Sequence, residues 1–516
     1  MSHVSAGIAV SMAATNASRR IIRIENHDEA LPLWRDLAGA GRILVHVDAH
    51  HDMWWVRPEQ SVTIANFISP ALRDGILREI CWIVPDGSWA SAGNRRQIFR
   101  HLRRIQRQFP GSPAPVEITR EQMSTTLLGK PLRICSVEGL PKFQESVLLD
   151  LDVDYLLLPR VTYGSSDPHP ALPWRWPEDL VARLRARGVL ADLVTIAYSV
   201  EGGYTPLRWK YLGDELEARL EEQGAEPILR GMDLMRAGAE AAARRAWAAA
   251  EQAYREASAL LPHLAAPLWH LAFLYLDSGR GDEGQELYRR ALDLDASYRT
   301  AHNSTALWHY WEKRWADCER ECRRALALDP NDAHAHLGLG WIACENANWS
   351  AAELELRRAL EADADLLDAH RALGRVFWKT GRLRDAIAAY EKSLKLSLAG
   401  RVSLRNSPVI SAERPHWSDL RHFLVFRRLG QIYGAVGEPE RAAQFLRMAA
   451  AGGVNSAGLR VQLAAFAFRQ GKWGAGLREI GKALQQPAVW VGRMGRKLVR
   501  TMGKPFRRGY ELWRVR

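Results

Sequence analysis

From about residue 231 onward a tyrosine or its equivalent returns every 34 residues, at Tyr254, Tyr288, Cys322, Leu356 and Tyr390. Three residues after each comes a small one: Ala257, Ala291, Ala325, Ala359 and Ser393. Four residues before each stand Ala250, Gly284, Cys318, Ala352 and Ala386, and earlier in each unit Gly238, Ala272, Ala306, Gly340 and Gly374. A fixed period of this length makes each unit one supersecondary piece that buries its apolar face against its neighbours. Apolar spacings of three and four within the units predict helices. Pro262 and Pro330 stop those helices where a unit closes, and the small columns let two helices cross closely.

Period, small positions and closing prolines together resemble the tetratricopeptide repeat. Five units occupy 231–400, and a polar, proline-containing insertion at 401–420 breaks the period. Leu429, Gly430, Tyr433, Ala442 and Ala449 resume the pattern, and Leu463, Ala464, Ile480 and Ala483 mark a weaker last unit, giving two further repeats over 421–490. The resemblance implies an all-α solenoid whose concave groove binds a peptide, a protein substrate or a partner enzyme. Cys318 and Cys322 lie one helical turn apart, but they occupy small-residue columns and read as packing. His334 and His336 open a repeat helix and read as surface or groove histidines.

Residues 20–228 alternate strand-like and helix-like segments, which predicts an α/β domain. The run Ile43-Leu-Val-His-Val47 reads as a buried strand and leads into Asp48-Ala49-His50-His51-Asp52. Alternate residues of an extended chain share a face, so Asp48, His50 and Asp52 are expected to project together from a strand end. A second apolar run ends in Asp150, Asp152 and Asp154. Acids crowded on one strand face repel and lose hydration, a cost that a cation removes. A mostly oxygen donor set with a minority of imidazole suits a hard divalent ion such as Mn²⁺.

Asp48-Ala-His-His-Asp52 resembles the Asp-Ala-His-x-Asp signature of arginases and other ureohydrolases, and Leu151-Asp-Val-Asp154 resembles their second signature. By that resemblance Asp48, His50, Asp52, Asp152 and Asp154 are ligands of a dimanganese centre. Asp150 stands where ureohydrolases have serine. Their upstream Gly-Gly-Asp-His motif is missing, and His27, 21 residues before Asp48, is the candidate for the sixth ligand. The segments ENHDEALPLW, VDAHHD, ANFISPAL, ICWIVPDGSW, LLDLDVDY and TIAYSVEGGYTP are similar to a shorter arginase-like family that includes bacterial peptide arginases. This likeness implies a three-layer α/β domain that hydrolyses peptidyl arginine to ornithine and urea.

That chemistry asks for a carboxylate to hold the guanidinium, for which Glu201 is the candidate, and for a proton shuttle, for which His51 and His169 are. Asn66 is placed to hydrogen-bond substrate or water. Trp82, Trp89, Trp174 and Trp176 either line a peptide cleft or fill the core. Two rival readings stay open: a zinc deacetylase or amidohydrolase of the arginase fold, and a scaffold whose catalytic domain has decayed.

Charge divides the chain unevenly. The segment 491–516 carries nine Lys and Arg against Glu511, or +8 of the formal +12. This basic tail, interleaved with Met, Phe, Tyr and Trp, suits an anionic surface. Residues 1–19 read as a disordered lead-in, since no positive charge precedes their short apolar run. The sequence contains no uninterrupted apolar stretch of membrane-spanning length. Five scattered cysteines, odd in number, fit a reducing compartment and a cytoplasmic location.

Overall fold

The computed structural model describes residues 19–58, 62–161, 170–200, 204–221, 226–300, 306, 309–310, 313–403, 417–451, 457–469 and 471–484. The lead-in up to residue 18, residues 404–416 of the insertion and the basic tail lie outside them. The chain divides into two compact units, one up to Pro330 and one from Asn331.

The first unit is built on an eight-stranded mixed sheet. In chain order its strands are β1 (Arg20–Ile24), β2 (Arg42–Val47), β3 (Leu77–Ile83), β4 (Glu117–Ile118), β5 (Gln122–Leu127), β6 (Lys130–Cys135), β7 (Val147–Asp152) and β8 (Ala191–Ala197). Their spatial order is β1-β8-β7-β2-β3-β6-β5-β4. The six strands from β1 to β6 in that order pair in parallel, while β5 and β4 close the far edge antiparallel.

Every residue of β7 is buried, and so are five of the six in β2. Such unbroken burial belongs to strands covered on both faces. Val45, Val47, Leu149, Leu151, Val194 and Ile196 pack on one side with α4 (Pro177–Ala186) and α5 (Tyr211–Leu220). Leu44, Ile80, Trp82 and Leu148 pack on the other with α1 (Ala30–Leu37), α2 (Ile68–Arg73) and α3 (Ala92–Gln106). In α3 the apolar stripe is Ile98, Leu102 and Ile105, while Arg96, Arg100 and Arg104 are exposed; Ser91 caps the helix by accepting from Asn94 N at 3.1 Å.

The layer of α4 and α5 does not end at the repeats. Its core runs on through Met232 and Met235 of α6 (Glu226–Ala243), Tyr254 of α7 (Trp247–Leu260), Trp269 of α8 (Ala266–Asp277) and Tyr288 of α9 (Gly281–Leu294). His270 of α8 stacks on Tyr254 and donates from Nε2 to Arg208 O, 3.0 Å away, while Lys210 reaches Asp295 at 2.5 Å.

Within the second unit the helices pair in sequence: Ala333–Glu345 with Trp349–Ala362, Leu367–Lys379 with Leu383–Ser403, Trp417–Ala435 with Pro439–Ala451, and Ala457–Arg469 with Trp473–Leu484. The small columns have a direct cause. A Cβ added at Gly340 would meet Leu356 at 2.7 Å, and one at Gly374 would meet Tyr390 at 2.8 Å. In the first unit Gly238 stands in the same relation to Tyr254, at 2.5 Å. The recurring large residue therefore seats itself on the recurring glycine. Cys318 and Cys322 are buried, in keeping with their packing columns. His336 is buried against Glu355 at 2.7 Å, and the backbone N of His334 donates to the capping Asp332. Among the described residues no helix is long and apolar enough to cross a membrane.

Candidate metal centre

Strand β2 leads to β3 on one side of the sheet, whereas its neighbour β7 leads to β8 on the other. Adjacent strands whose connections diverge leave a crevice at their carboxyl ends. Asp48 follows β2 directly, Asp152 ends β7, and His27 lies three residues past the end of β1.

Turns, rather than strand pleating, complete the grouping, which corrects the extended-chain expectation. Beyond Val47 the chain leaves the sheet: Asp48 Oδ1 accepts from His50 N at 2.7 Å, and Asp52 takes a left-handed φ of 50°. Likewise Asp152 caps the short turn Val153–Leu156, its Oδ1 accepting from Asp154 N at 2.8 Å. Ser199, just past β8, has a φ of 54° and donates its hydroxyl to Asp152 Oδ2 at 2.8 Å. A non-glycine residue held left-handed costs on the order of 1 kcal/mol, and such strain concentrates at functional sites.

Two sets of donors result. His27 Nδ1 lies 3.4 Å from Asp48 Oδ2, 3.2 Å from Asp52 Oδ2 and 3.2 Å from Asp152 Oδ2. His50 Nδ1 lies 3.4 Å from Asp48 Oδ1 and 2.9 Å from Asp154 Oδ2. Asp48 thus presents one oxygen to each set. The His27 set is wholly buried, but the His50 side chain is 31% exposed, so the second set faces the solvent side. Spacing did not single out His46. It is fully buried, with Nδ1 2.8 Å from Asp150 Oδ2 and Nε2 3.3 Å from Asp48 Oδ2. A period-two reading carried back from Asp48 would have reached it.

The electrostatics call for a cation. Five carboxylates and three imidazoles converge: Asp48, Asp52, Asp150, Asp152, Asp154, His27, His46 and His50. His27 Nδ1, His46 Nε2, Asp48 Oδ2 and Asp154 Oδ1 are buried without a hydrogen-bond partner, while His27 Nε2 lies 2.9 Å from Asp150 Oδ2 and His50 Nδ1 2.9 Å from Asp154 Oδ2. Burial works against charge on His27, yet Asp150, Asp152 and Asp48 hold its pKa well above the usual value. His50 is raised too, against burial, by Asp154 and Asp48. Burial and then the Asp152 carboxylate push Asp154 well up, and burial with Asp48 pushes Asp52 up to about 6. Ligating imidazole must be neutral, and five carboxylates then leave five negative charges for cations to balance. The residues present fit divalent metal, oxygen-rich with some imidazole.

The remaining candidates fall elsewhere. His51 is buried among Trp54, Trp82 and His101, and its Nδ1 accepts from Met53 N at 2.8 Å. Burial, reinforced by His101, drives its pKa well down. Asn66 Oδ1 accepts from Thr63 N at 2.9 Å within the turn before α2. Trp82 is a core residue whose Nε1 donates to Asp48 O at 3.0 Å, bracing the end of β2. Trp89 and Trp174 also spend their N–H on backbone carbonyls, at Arg120 and Tyr155, and Trp176 packs edge-on against Trp209. Glu201 and His169 lie outside the described residues. Tyr204, not foreseen, stands edge-on to His50 with centroids 5.4 Å apart and is 40% exposed.

The helical region is recognisable among known proteins. A tetratricopeptide repeat model matches residues 368–399, and no curated protein sequence matches the chain. Solved structures with similar segments include PilF of Pseudomonas aeruginosa, at 14% identity over 47% of this chain and 99% of that one, with a TM-score of 0.27. The type IV pilus biogenesis factor PilW is 20% identical over 45% and 98%, with a TM-score of 0.25. YrrB, a repeat protein with an unusual peptide-binding site, is 18% identical over 39% and 92%, with a TM-score of 0.24. At such TM-scores none of the three carries an argument. The C-terminal region is a solenoid of tetratricopeptide-like repeats, a class that binds peptides and proteins, and the N-terminal region is a mixed-sheet domain with a buried acid–histidine cluster able to hold metal.

Proposed function

We propose that the protein is a metal-dependent hydrolase of peptidyl arginine that leaves ornithine and releases urea, using two divalent cations, manganese foremost. One observation carries the reading: five carboxylates and three imidazoles meet at the sheet's switch point with four buried polar atoms unpartnered. Each such atom costs about 1–3 kcal/mol in the absence of a partner. His27, Asp48, Asp52 and Asp152 hold one cation, and Asp48, His50 and Asp154 the other. Bound there, the cations supply Lewis acidity and acidify water.

The chain's own residues do the rest. Asp48 sets the spacing between the two positions, and Ser199 orients Asp152. Substrate enters on the His50 side, along the exposed Tyr204 ring. Glu201, three residues before Tyr204, is the proposed clamp for the planar guanidinium, to which a carboxylate is matched in geometry. With His51 buried and its Nδ1 engaged, His169 is the proposed donor of a proton to the leaving amine. The choice of peptidyl arginine is supported by the likeness of residues 20–210 to peptide arginases and by repeats suited to grip a long chain.

The test is metal content of protein from manganese-supplemented cells, with urea release from arginine-containing peptides. Two manganese per chain with urea released, both lost in Asp152→Ala, are expected. One zinc without urea would replace the reading with an amidohydrolase, and no metal would leave a repeat scaffold.

A further inference from the structure

Beneath the two donor sets His46, Asp150 and Thr195 stand side by side across three strands. His46 pairs in register with Asp150, and Asp150 with Thr195. All three are completely buried. A row of polar side chains in a parallel core is costly unless each group is used. The Thr195 hydroxyl donates to Asp150 Oδ1, and Asp150 Oδ2 faces His46 Nδ1 at 2.8 Å.

An ionised carboxylate only accepts, so the ring nitrogen bonded to it carries the proton. With the proton on Nδ1, the neutral imidazole has a bare Nε2. That atom is buried, lacks a hydrogen-bond partner and faces Asp48 Oδ2 at 3.3 Å. Asp48 Oδ2 is unpartnered as well, and His27 Nδ1 approaches it at 3.4 Å. Lone pairs aimed at one another in a dry interior need a cation between them. His46, Asp48 and Asp52 also bring ligand atoms within 4.8 Å of one another.

We infer that His46 is a further cation ligand, binding the inner ion through Nε2, and that Asp150, steadied by Thr195, is the positioning residue that fixes its tautomer. The inner position then has two imidazoles and the outer one. A carboxylate behind a ligating histidine raises its basicity and locks its ring, and loss of such a partner weakens metal binding about 10- to 100-fold. Serine in place of Asp150 would be too short to reach a ring on the neighbouring strand in this way. The inference rests on the two-cation reading above.

The test is Mn²⁺ titration calorimetry on the full chain, wild type against His46→Asn, Asp150→Asn and Thr195→Val. Two binding steps are expected in the wild type. One of them should weaken by about 100-fold or more in His46→Asn and about 10- to 100-fold in Asp150→Asn. Thr195→Val, which keeps the volume, should weaken the same step by a smaller factor. Ring-¹⁵N histidine spectra of the Zn²⁺-loaded chain should show a metal-bound Nε2 that disappears in His46→Asn, a signal that a packing role would not give. Wild type with two ions and unaltered binding in all three variants would overturn this inference alone. A third ion per chain would also overturn it, by making His27, His46 and Asp150 a site of their own. Failure of the wild type to bind any ion would overturn both it and the proposed function.

Discussion

Asp154→Asn separates the cost of the acid cluster from its use. Asp154 is 1% exposed on its side chain, Oδ1 lacks a hydrogen-bond partner, and His50 Nδ1 is 2.9 Å from Oδ2. Its carboxyl is already pushed well up by burial and by Asp152, so its charged form is disfavoured without metal. Replacing a carboxyl whose charge is already disfavoured by an amide of the same shape should change metal-free stability by less than about 1 kcal/mol. With metal the same change removes one of three protein ligands on the His50 side. At a free Mn²⁺ concentration of about 100 times the wild-type Kd, one ion stabilises the fold by about 2.7 kcal/mol. A 100-fold weaker variant would keep about 0.4 kcal/mol of that. Thermal unfolding with and without Mn²⁺ should therefore give nearly equal metal-free midpoints. The metal-induced rise in the wild type should exceed that in the variant by about 5 °C, at roughly 2 °C per kcal/mol for a domain of this size. A variant that loses several kcal/mol without metal, yet keeps the full Mn²⁺ shift, would show that Asp154 is a structural acid and no ligand.

Two further outcomes follow from features away from the centre. Gly374→Ala places a Cβ 2.8 Å from the Tyr390 ring, so denaturant unfolding of the second unit should lose about 1–3 kcal/mol, and an unchanged midpoint would contradict the close helix crossing. His270 is buried, chiefly desolvated, with its pKa lowered to about 4 despite its bond to Arg208 O. The unfolded chain takes up a proton near pH 6.5 and the folded chain only near 4, so stability is fullest above 6.5 and falls between those values as pH drops. At pH 5 the loss is about 2 kcal/mol, and His270→Gln should flatten that slope in urea unfolding at pH 7 and pH 5. The same slope in both proteins would refute the assignment.

The repeats were legible because one physical demand recurs at every unit: a glycine or alanine must stand where a tyrosine or leucine seats. Gly374 under Tyr390 and Gly340 under Leu356 write the helix crossing directly into the spacing. The acids of the centre were legible for a different reason, since carboxylates that end two apolar runs are conspicuous by their cost. Why they converge was not. Alternation on an extended strand was the expected cause, but β2 stops at Val47, and left-handed Asp52 and capping Asp152 do the gathering. Single-sequence periodicity carries no sign of such turns. His46 sits inside a run of aliphatics, where a histidine reads as tolerated core, and only its register with Asp150 gives it a neighbour to act on. His51 is the converse case. Adjacency to two candidate ligands suggested a role, but one residue of displacement turned its ring toward Trp54 and His101.

The core shared by α4 and α5 with α6 to α9 bears on how the chain can be taken apart or could have been put together. A break near residue 228 would strip the helical layer over β7 and β8 of its cover and expose Trp209, Tyr211 and Leu216 on one side and Met232, Met235 and Trp269 on the other. Neither product would be a clean module, and both would present aggregation-prone apolar faces. The border at which parts can be exchanged therefore does not coincide with the border at which the sequence changes style. A graft of this acid–histidine cluster onto another carrier has to bring the early repeats with it, as if they were the outermost shell of the sheet domain itself.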